Sequence, residues 1–448
     1  MKNLISHISY LTSIFKMETI KKITSYTLVG LLLFSASCTK EFIDPQKAKE
    51  EPSLASLRGL TAISVGLQRT YASGRTGLIF NSITANGFVS NELALRNAGN
   101  IPELQLSTGG STIDGTNAIL NQLWTNGNKI IYDADQVIIN AEKLSDKNYA
   151  SGLIAYSTIF KALAIGNLST YWEKVPAEVG KQNSSFIGRI EGYNQAIAAI
   201  DKALVLISAN AMSPAFLSSI PAGIDIPVTL NALKARYALF AGNYALALSS
   251  ANTVDLTKKS TFNFDAISLN PIFDIATSTN NVFQPLDANL GLSGTLAPDL
   301  ADKRIAFYTS LSPAVPPLIR INGFGAAITT SIPVYLPSEM TLIKAEALAR
   351  QPDLAAALIE LNRVVIKTPA SDPFLLGADL PPLTGPYTQD QLLEQIYKHR
   401  SIELFMSGLR LEDMRRLNRP VSERKRSFFP YPFTERDNNI NTPENPAF

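Results

Sequence analysis

The architecture of this chain is clearest in one run, Asn231-Ala-Leu-Lys-Ala-Arg-Tyr-Ala-Leu-Phe-Ala-Gly-Asn-Tyr-Ala-Leu-Ala-Leu-Ser-Ser-Ala-Asn252. Apolar residues recur at helical spacing on both sides of Gly242-Asn243, which predicts two helices joined by a tight turn. A helix pair of this size is typical of a tetratricopeptide unit of about 34 residues. Small side chains would let the two helices approach closely: Ala232, Ala235, Ala238, Ala241, Ala245 and Ala247.

The same periodicity predicts helices elsewhere in the chain. A second helix pair, residues 338–350 and 354–365, is divided by Pro352-Asp353, and longer helices are expected at 53–71, 117–144, 150–171, 190–208 and 389–417. Two stretches rich in Gly, Asn, Ser and Pro, residues 72–115 and 255–334, read as loop-rich insertions. The expected fold is therefore mainly α, with degenerate tetratricopeptide-like pairs forming a right-handed superhelix.

The composition excludes several classes of function. Of 448 residues, 46% are hydrophobic and 17% are charged, so the chain can bury a large core, and its formal charge of +2 does not favour a nucleic-acid partner. A single cysteine cannot form an internal disulfide. Of the two histidines, only His399 follows the export signal described next, which argues against catalytic triads and histidine metal sites. We therefore expect no enzyme activity, no cofactor and no metal.

The N-terminus has the anatomy of an export signal. Lys21 and Lys22 precede the apolar run YTLVGLLLF at 26–34, and small residues at 35–37 lead to Cys38, the sole cysteine. This order predicts a signal peptide over 1–37, with translation starting at Met1 or Met17. Cys38 would then be lipidated, and residues 38–52 would form a polar tether. An ordinary secretory signal with an incidental cysteine is the alternative.

The C-terminal part of the chain contains a distinctive motif at residues 396–417, Ile-Tyr-Lys-His-Arg-Ser-Ile-Glu-Leu-Phe-Met-Ser-Gly-Leu-Arg-Leu-Glu-Asp-Met-Arg-Arg-Leu, followed by Phe429-Pro-Tyr-Pro432 and Glu435. This motif closely resembles the C-terminal helix and tail of the SusD/RagB family. Further similar segments occur in the family's order: Leu123-Trp124 in a helix, then Leu336 to Ala347. The resemblance spans about residues 38 to 440. This family consists of surface lipoproteins of Bacteroidetes that work with TonB-dependent transporters.

The resemblance implies a function and a location. The chain would be lipid-anchored in the outer membrane, facing outward, where it captures a nutrient and delivers it to a SusC-like TonB-dependent transporter. The family most often takes a glycan, although peptide carriers share the fold. Two alternatives stay open: a secreted helical-toroid glycosidase or lyase that uses two carboxylates, and a tetratricopeptide-type scaffold without a small ligand.

Aromatic and amide side chains in the insertion at 72–115 suggest a ligand site. Aromatic faces stack on apolar parts of a ligand while amides form hydrogen bonds to its polar groups. In the family that the chain resembles, ligands lie on the side facing the transporter. The predicted ligand-binding residues are Phe80, Asn81, Asn86, Phe88 and Asn91, with Tyr308 in the second insertion. The alternative is a loop anchored by buried phenylalanines.

Two further groups of residues have both a structural and a functional interpretation. Arg400, Glu403, Ser407 and Arg410 are three or four residues apart, so on one helix they would share a face. They favour an ion-pair stripe over a charged ligand clamp. Three aromatic residues at helical or helix-end positions favour core packing over sugar stacking: Trp124, Tyr171 and Trp172.

Overall fold

Helices dominate the part of the chain that the computed structural model describes, which is residues 53–279, 281–311 and 319–447. The expected mainly α fold is confirmed. In chain order the α-helices of these residues are α1 (Leu57–Ala72), α2 (Leu78–Val89), α3 (Ile101–Thr108), α4 (Ala118–Ala141), α5 (Lys147–Tyr171), α6 (Arg189–Ala209), α7 (Pro214–Leu217), α8 (Ile226–Phe240), α9 (Tyr244–Asn252), α10 (Lys303–Tyr308), α11 (Pro337–Arg350), α12 (Leu354–Val365), α13 (Gln389–Glu403), α14 (Arg410–Arg416) and α15 (Phe433–Asn438).

The long helices stack in sequence, as expected of paired units. Helix α4 packs on α5, α5 on α6, and α6 on α8; α8 packs on α9, α9 on α11, and α11 on both α12 and α13. Helix α5 lies inside this stack, and its residues are buried on nearly all sides. A helix that is apolar around its whole circumference is stable only when it is covered on every face. The right-handed twist of the stack remains a prediction.

The turn between α8 and α9 shows how the sequence sets these pairs. Gly242 has φ of 78°, a conformation that glycine adopts without strain, and it ends α8. The next residue, Asn243, donates its backbone N–H to the Ala238 carbonyl at 2.9 Å. The Asn243 side chain then accepts from the Leu246 N–H at 3.1 Å and caps α9. Two residues thus close one helix and start the next.

The first insertion, residues 72–115, is not the loop that we expected. It contains α2 and α3, and every residue of α2 is buried. Its Asn, Ser, Thr and Gly residues are typical of loops, but here the polar side chains form hydrogen bonds within the interior and the glycine permits close packing. At Gly87 an added Cβ would lie 2.5 Å from a Leu93 methyl carbon. Tertiary packing therefore overrides the local composition.

Residues 255–334 hold short strands and turns, with α10 as their one α-helix in the described part. Strands β1 (Leu93–Leu95) and β5 (Phe283–Pro285) join the two insertions through the antiparallel register Ala94↔Gln284. The remaining strands also pair in twos: β2 (Lys174–Pro176) with β3 (Phe186–Gly188), β4 (Thr261–Phe262) with β8 (Ile332–Pro333), and β6 (Thr309–Leu311) with β7 (Ile319–Ile321).

The last predicted helix, residues 389–417, is two helices rather than one. Helix α13 ends at Glu403 and α14 begins at Arg410. Between them Met406 and Gly408 have φ of 57° and 79°, which a continuing α-helix cannot accommodate. The Gly408 carbonyl accepts a hydrogen bond from the Tyr171 hydroxyl at 2.8 Å, so the turn is fastened to the end of α5.

The predicted signal peptide at 1–37, the lipidation site Cys38 and the tether at 38–52 lie outside the described residues. Among the residues that are described, no helix is long and apolar enough to cross a membrane.

Candidate functional site

The charged residues near the C-terminus form separate buried ion pairs instead of one stripe. Arg400 and Asp413 are joined by two hydrogen bonds of 3.0 Å, and both side chains are buried. Because the helix ends at Glu403, Arg410 points elsewhere and approaches Glu92 at 3.3 Å. Ser407 is exposed in the turn. The prediction of a shared face is therefore wrong. The burial of the charged side chains agrees with the structural role predicted for them.

Glu403 is the centre of the largest of these charge clusters. Its carboxylate accepts from Arg304 at 3.0 Å and from Lys367 at 3.1 Å, and its side chain is fully buried. Burial alone would raise the pKa of Glu403, but Lys367 and Arg304 hold it below the ordinary value. His399 joins the cluster because its Nδ1 lies 2.9 Å from Arg304. Burial, followed by the charge of Arg304, holds the His399 pKa well below its ordinary value. These groups hold α10 against α13.

The two phenylalanines of the predicted ligand site are core residues. Phe80 and Phe88 have no exposed surface, and both pack against Phe283, with ring centroids 6.1 and 5.9 Å away. A ring without exposed surface cannot stack on a ligand in this conformation. The prediction for these two residues is corrected, because α2 turns them into the interior.

The three predicted asparagines also serve the protein itself. Asn81 donates to the Gly77 carbonyl at 2.9 Å. Asn86 donates to Glu92 at 2.6 Å and accepts from the Leu411 N–H at 2.8 Å. Asn91, half-buried, donates to the Glu423 carbonyl at 2.8 Å. Asn86 and Asn91 thus link α2 and the residues after it to the C-terminal region, whereas Asn81 bonds to the turn before α2. The ligand role predicted for Asn81 and Asn86 is corrected, because both are buried. For the half-buried Asn91 it stays a prediction.

Tyr308 is the one predicted ligand residue beside an internal space. Its side chain is 3% exposed, and its hydroxyl donates to the Glu403 carbonyl at 2.5 Å. Its ring packs edge-on against Phe324 and Phe405. Tyr308, Phe324 and Phe405 all line a cavity of about 110 Å³. The hydroxyl is already bonded to the protein, so Tyr308 can offer a ligand only its ring.

This central cavity lies where the helical stack meets the second insertion. Helices α1, α2, α5, α8 and α11 contribute to its walls, together with residues 322–325 and the turn at 404–409. One wall is apolar, and the exposed Ser407 lies among the lining residues. The apolar wall includes Phe262, Ile272, Phe324, Phe405 and Met406.

Polar side chains make up another part of the cavity lining, the polar wall. Tyr71, Asn167, Tyr237 and Arg236 line it, and the Asn167 amide donates to the Tyr71 hydroxyl at 3.1 Å. Arg236 forms two hydrogen bonds with Glu339, of 2.6 and 2.7 Å. Burial raises the pKa of both Tyr71 and Tyr237, so the two phenols stay protonated at neutral pH. An apolar pocket with a few convergent polar groups is the usual form of a small-molecule site.

Sequence reasoning missed this polar wall for a physical reason. Tyr71, Asn167 and Tyr237 lie on three different helices and are separated by 70 or more positions. Each one by itself resembles an ordinary helix residue. The only local sign is Gly166 in α5, where an added Cβ would collide with the Tyr237 ring.

Other depressions are more open and lie elsewhere on the surface. One of about 290 Å³ lies beside Trp124 and Glu435, and a groove of about 850 Å³ runs along α4, α5 and α6. Within the described residues no cluster of histidine, cysteine or carboxylate side chains could hold a metal ion. The central cavity therefore remains the best-formed candidate site.

No protein-family model matches the chain, and no curated protein does either. Solved structures do match it. A SusD superfamily protein from Bacteroides fragilis has a TM-score of 0.65 at 15% identity, covering 87% of this chain and 99% of its own. A SusD superfamily protein from Bacteroides thetaiotaomicron has the same TM-score and identity, covering 87% and 100%. A SusD-like carbohydrate binding protein from Bacteroides vulgatus has a TM-score of 0.65 at 15% identity, covering 81% and 83%. This chain therefore has the SusD-like fold.

Proposed function

We propose that this chain is a non-catalytic carbohydrate-binding protein of the SusD type that takes its ligand at the central cavity. The observation that carries the proposal is the structural match over 81% of the chain to a protein described as SusD-like and carbohydrate binding. The cavity supports it, because aromatic rings and a protonated phenol are the groups that hold a neutral polyhydroxylated ligand.

The arrangement of carboxylates disfavours a glycosidase or lyase. Such an enzyme needs two carboxyl groups about 5–10 Å apart on either side of the scissile bond. Among the described residues lining the central cavity, Glu339 is the sole carboxylate, and Arg236 holds both of its oxygens. A buried carboxylate paired in this way is a poor general acid or base, which supports a binding role.

A surface location and a transporter partner belong to the same proposal. They rest on the export signal before Cys38 and on the sequence resemblance to a family that works with TonB-dependent transporters. In this proposal the lipidated chain faces outward on the outer membrane and delivers its glycan to a SusC-like transporter. Co-purification of such a transporter with the full-length chain from solubilised outer membranes tests the partnership.

We expect Cys38→Ala to abolish membrane attachment. Acyl chains contribute about 0.8 kcal/mol per buried methylene, so a chain without them has no comparable anchor. The measurement is fractionation of cells that produce the full-length protein, together with labelling by a palmitate analogue. Cys38→Ser serves as a second variant and should behave the same way. Retention of the variant in washed outer membranes, with label incorporated, would contradict lipidation at this position.

A glycan-array screen followed by calorimetry tests the binding function. Phe324→Ala should weaken binding of the glycan with the highest affinity by about 1–3 kcal/mol, by analogy with the loss of one stacking aromatic. Phe324 is half-buried in the cavity wall, so the fold should survive its truncation. The matched control is Phe433→Ala, since Phe433 is 49% exposed and lies away from the cavity. Binding of peptides and of no glycan would refute the carbohydrate assignment.

A further inference from the structure

The polar wall of the central cavity offers hydrogen-bonding atoms that the protein does not use. Tyr237 is 3% exposed, yet its hydroxyl has no hydrogen-bond partner among the described residues. Buried polar groups are normally satisfied, and an exception calls for an explanation. A hydroxyl that faces a cavity is satisfied by water or by a ligand that displaces the water, so Tyr237 is a donor available to a ligand.

Asn167 supplies the complementary acceptor. Its Nδ2 donates to the Tyr71 hydroxyl and to the Leu163 carbonyl, each at 3.1 Å, which uses both amide hydrogens. Its Oδ1 has no partner among the described residues. The Tyr71 hydroxyl accepts from Asn167 and keeps its own hydrogen. The wall thus presents two phenol donors and one amide acceptor.

The cavity offers these groups without a net charge. Arg236 and Glu339 neutralise each other, and Arg236 also donates to the Val334 carbonyl at 3.0 Å. A charged ligand group would have to compete with this buried ion pair. The electrostatics therefore favour a neutral group with both a donor and an acceptor.

The size of the cavity limits that group further. An apolar cavity of about 150 Å³ accepts benzene, whereas this one measures about 110 Å³. A complete sugar ring is bulkier than benzene, so the ring has to stay outside while a substituent enters. The apolar wall of the cavity, which includes Phe405 and Met406, would contact a methyl group of that substituent.

We propose that the central cavity accepts the acetamido group of an N-acetylated sugar. The acetamido N–H would donate to Asn167 Oδ1, its carbonyl would accept from Tyr237, and its methyl group would contact Phe405. This inference rests on the proposed carbohydrate-binding function and narrows its ligand to N-acetylhexosamine glycans.

Two disaccharides test the inference, because they differ only in this substituent. Calorimetry should show that N,N′-diacetylchitobiose binds about tenfold or more tightly than cellobiose, which has hydroxyls in place of the acetamido groups. Tyr237→Phe should lower the affinity for diacetylchitobiose about tenfold and leave the affinity for cellobiose unchanged. The control is Tyr387→Phe, at a half-buried tyrosine outside the cavity lining.

The outcomes separate this inference from the proposed function. Equal affinity for the two disaccharides, or preference for another glycan on the array, overturns the acetamido assignment and leaves carbohydrate binding intact. A preference for diacetylchitobiose that Tyr237→Phe does not alter places the acetamido group elsewhere and also overturns it. If no glycan binds at all, the proposed function and the inference fail together. Circular dichroism and melting of each variant verify that the fold is retained.

Discussion

Replacing Glu403 by alanine should lower the free energy of unfolding by about 3 kcal/mol. The carboxylate is fully buried and is shared by Arg304 and Lys367. Its removal leaves the buried Arg304 and the partly buried Lys367 each without one of their partners, which costs more than the lost attraction alone. Asp302 and Asp372 still pair with these cations, so the loss should lie at the lower end of the range for broken buried ion pairs.

Urea denaturation of the wild type and the variant measures this loss. The control is Glu394→Ala on the same helix, where the carboxylate is partly exposed and accepts from Thr295 at 2.9 Å. That change should cost well under about 1 kcal/mol, as surface polar contacts do. A comparably small loss for Glu403→Ala would contradict a central role of the carboxylate in the cluster.

The pH dependence provides a second measurement on the same residue. The pKa of Glu403 in the folded protein lies below the ordinary value of 4.5. The charge of Glu403 therefore stabilises the wild type above pH 4.5, and this contribution is lost as the pH falls through the lower folded pKa. The Glu403→Ala variant lacks this contribution, so the stability difference between the two proteins should shrink at acidic pH.

The helix pairs could be predicted because their signals are local. Apolar spacing together with Gly242-Asn243 predicted the helix pair α8 and α9 and the turn between them. Likewise α12 was expected at 354–365 and is observed as Leu354–Val365. Periodicity and caps depend on neighbouring residues, so a single sequence is sufficient to read them.

The central cavity could not be predicted in this way, since its polar groups come from separate helices. The prediction for residues 72–115 is wrong in the opposite way, because it places buried residues in a loop. The asparagines and glycines of this stretch indicated an exposed loop, yet Asn86 is buried between Glu92 and the Leu411 N–H. Whether an amide faces solvent or joins two parts of the core depends on what packs over it. A period or a composition does not contain that information, and only the assembled fold supplies it.

Truncating Trp172 to alanine should destabilise the protein by about 3–5 kcal/mol, the usual cost of removing a large core aromatic. The indole has no exposed surface and packs edge-on against Trp124 at 4.9 Å and against Phe429 at 6.2 Å. Its Nε1 donates to the Pro430 carbonyl at 3.0 Å. The cavity that the mutation creates would therefore lie directly beneath the C-terminal tail.

Variants at Trp172 distinguish a role in core packing from a role in sugar stacking. Trp172→Phe keeps an aromatic ring but loses the hydrogen bond to Pro430, so it should cost less than alanine while loosening the tail. Limited digestion with trypsin should then cut both variants at Lys425 or Arg426, just before residues 429–431, sooner than in the helical stack. The alanine variant should be the more sensitive of the two. The folded variants should keep their affinity for a glycan, because Trp172 does not line the central cavity. Lost binding with unchanged melting would instead place the sugar at this indole, and the buried position of Trp172 argues against that result.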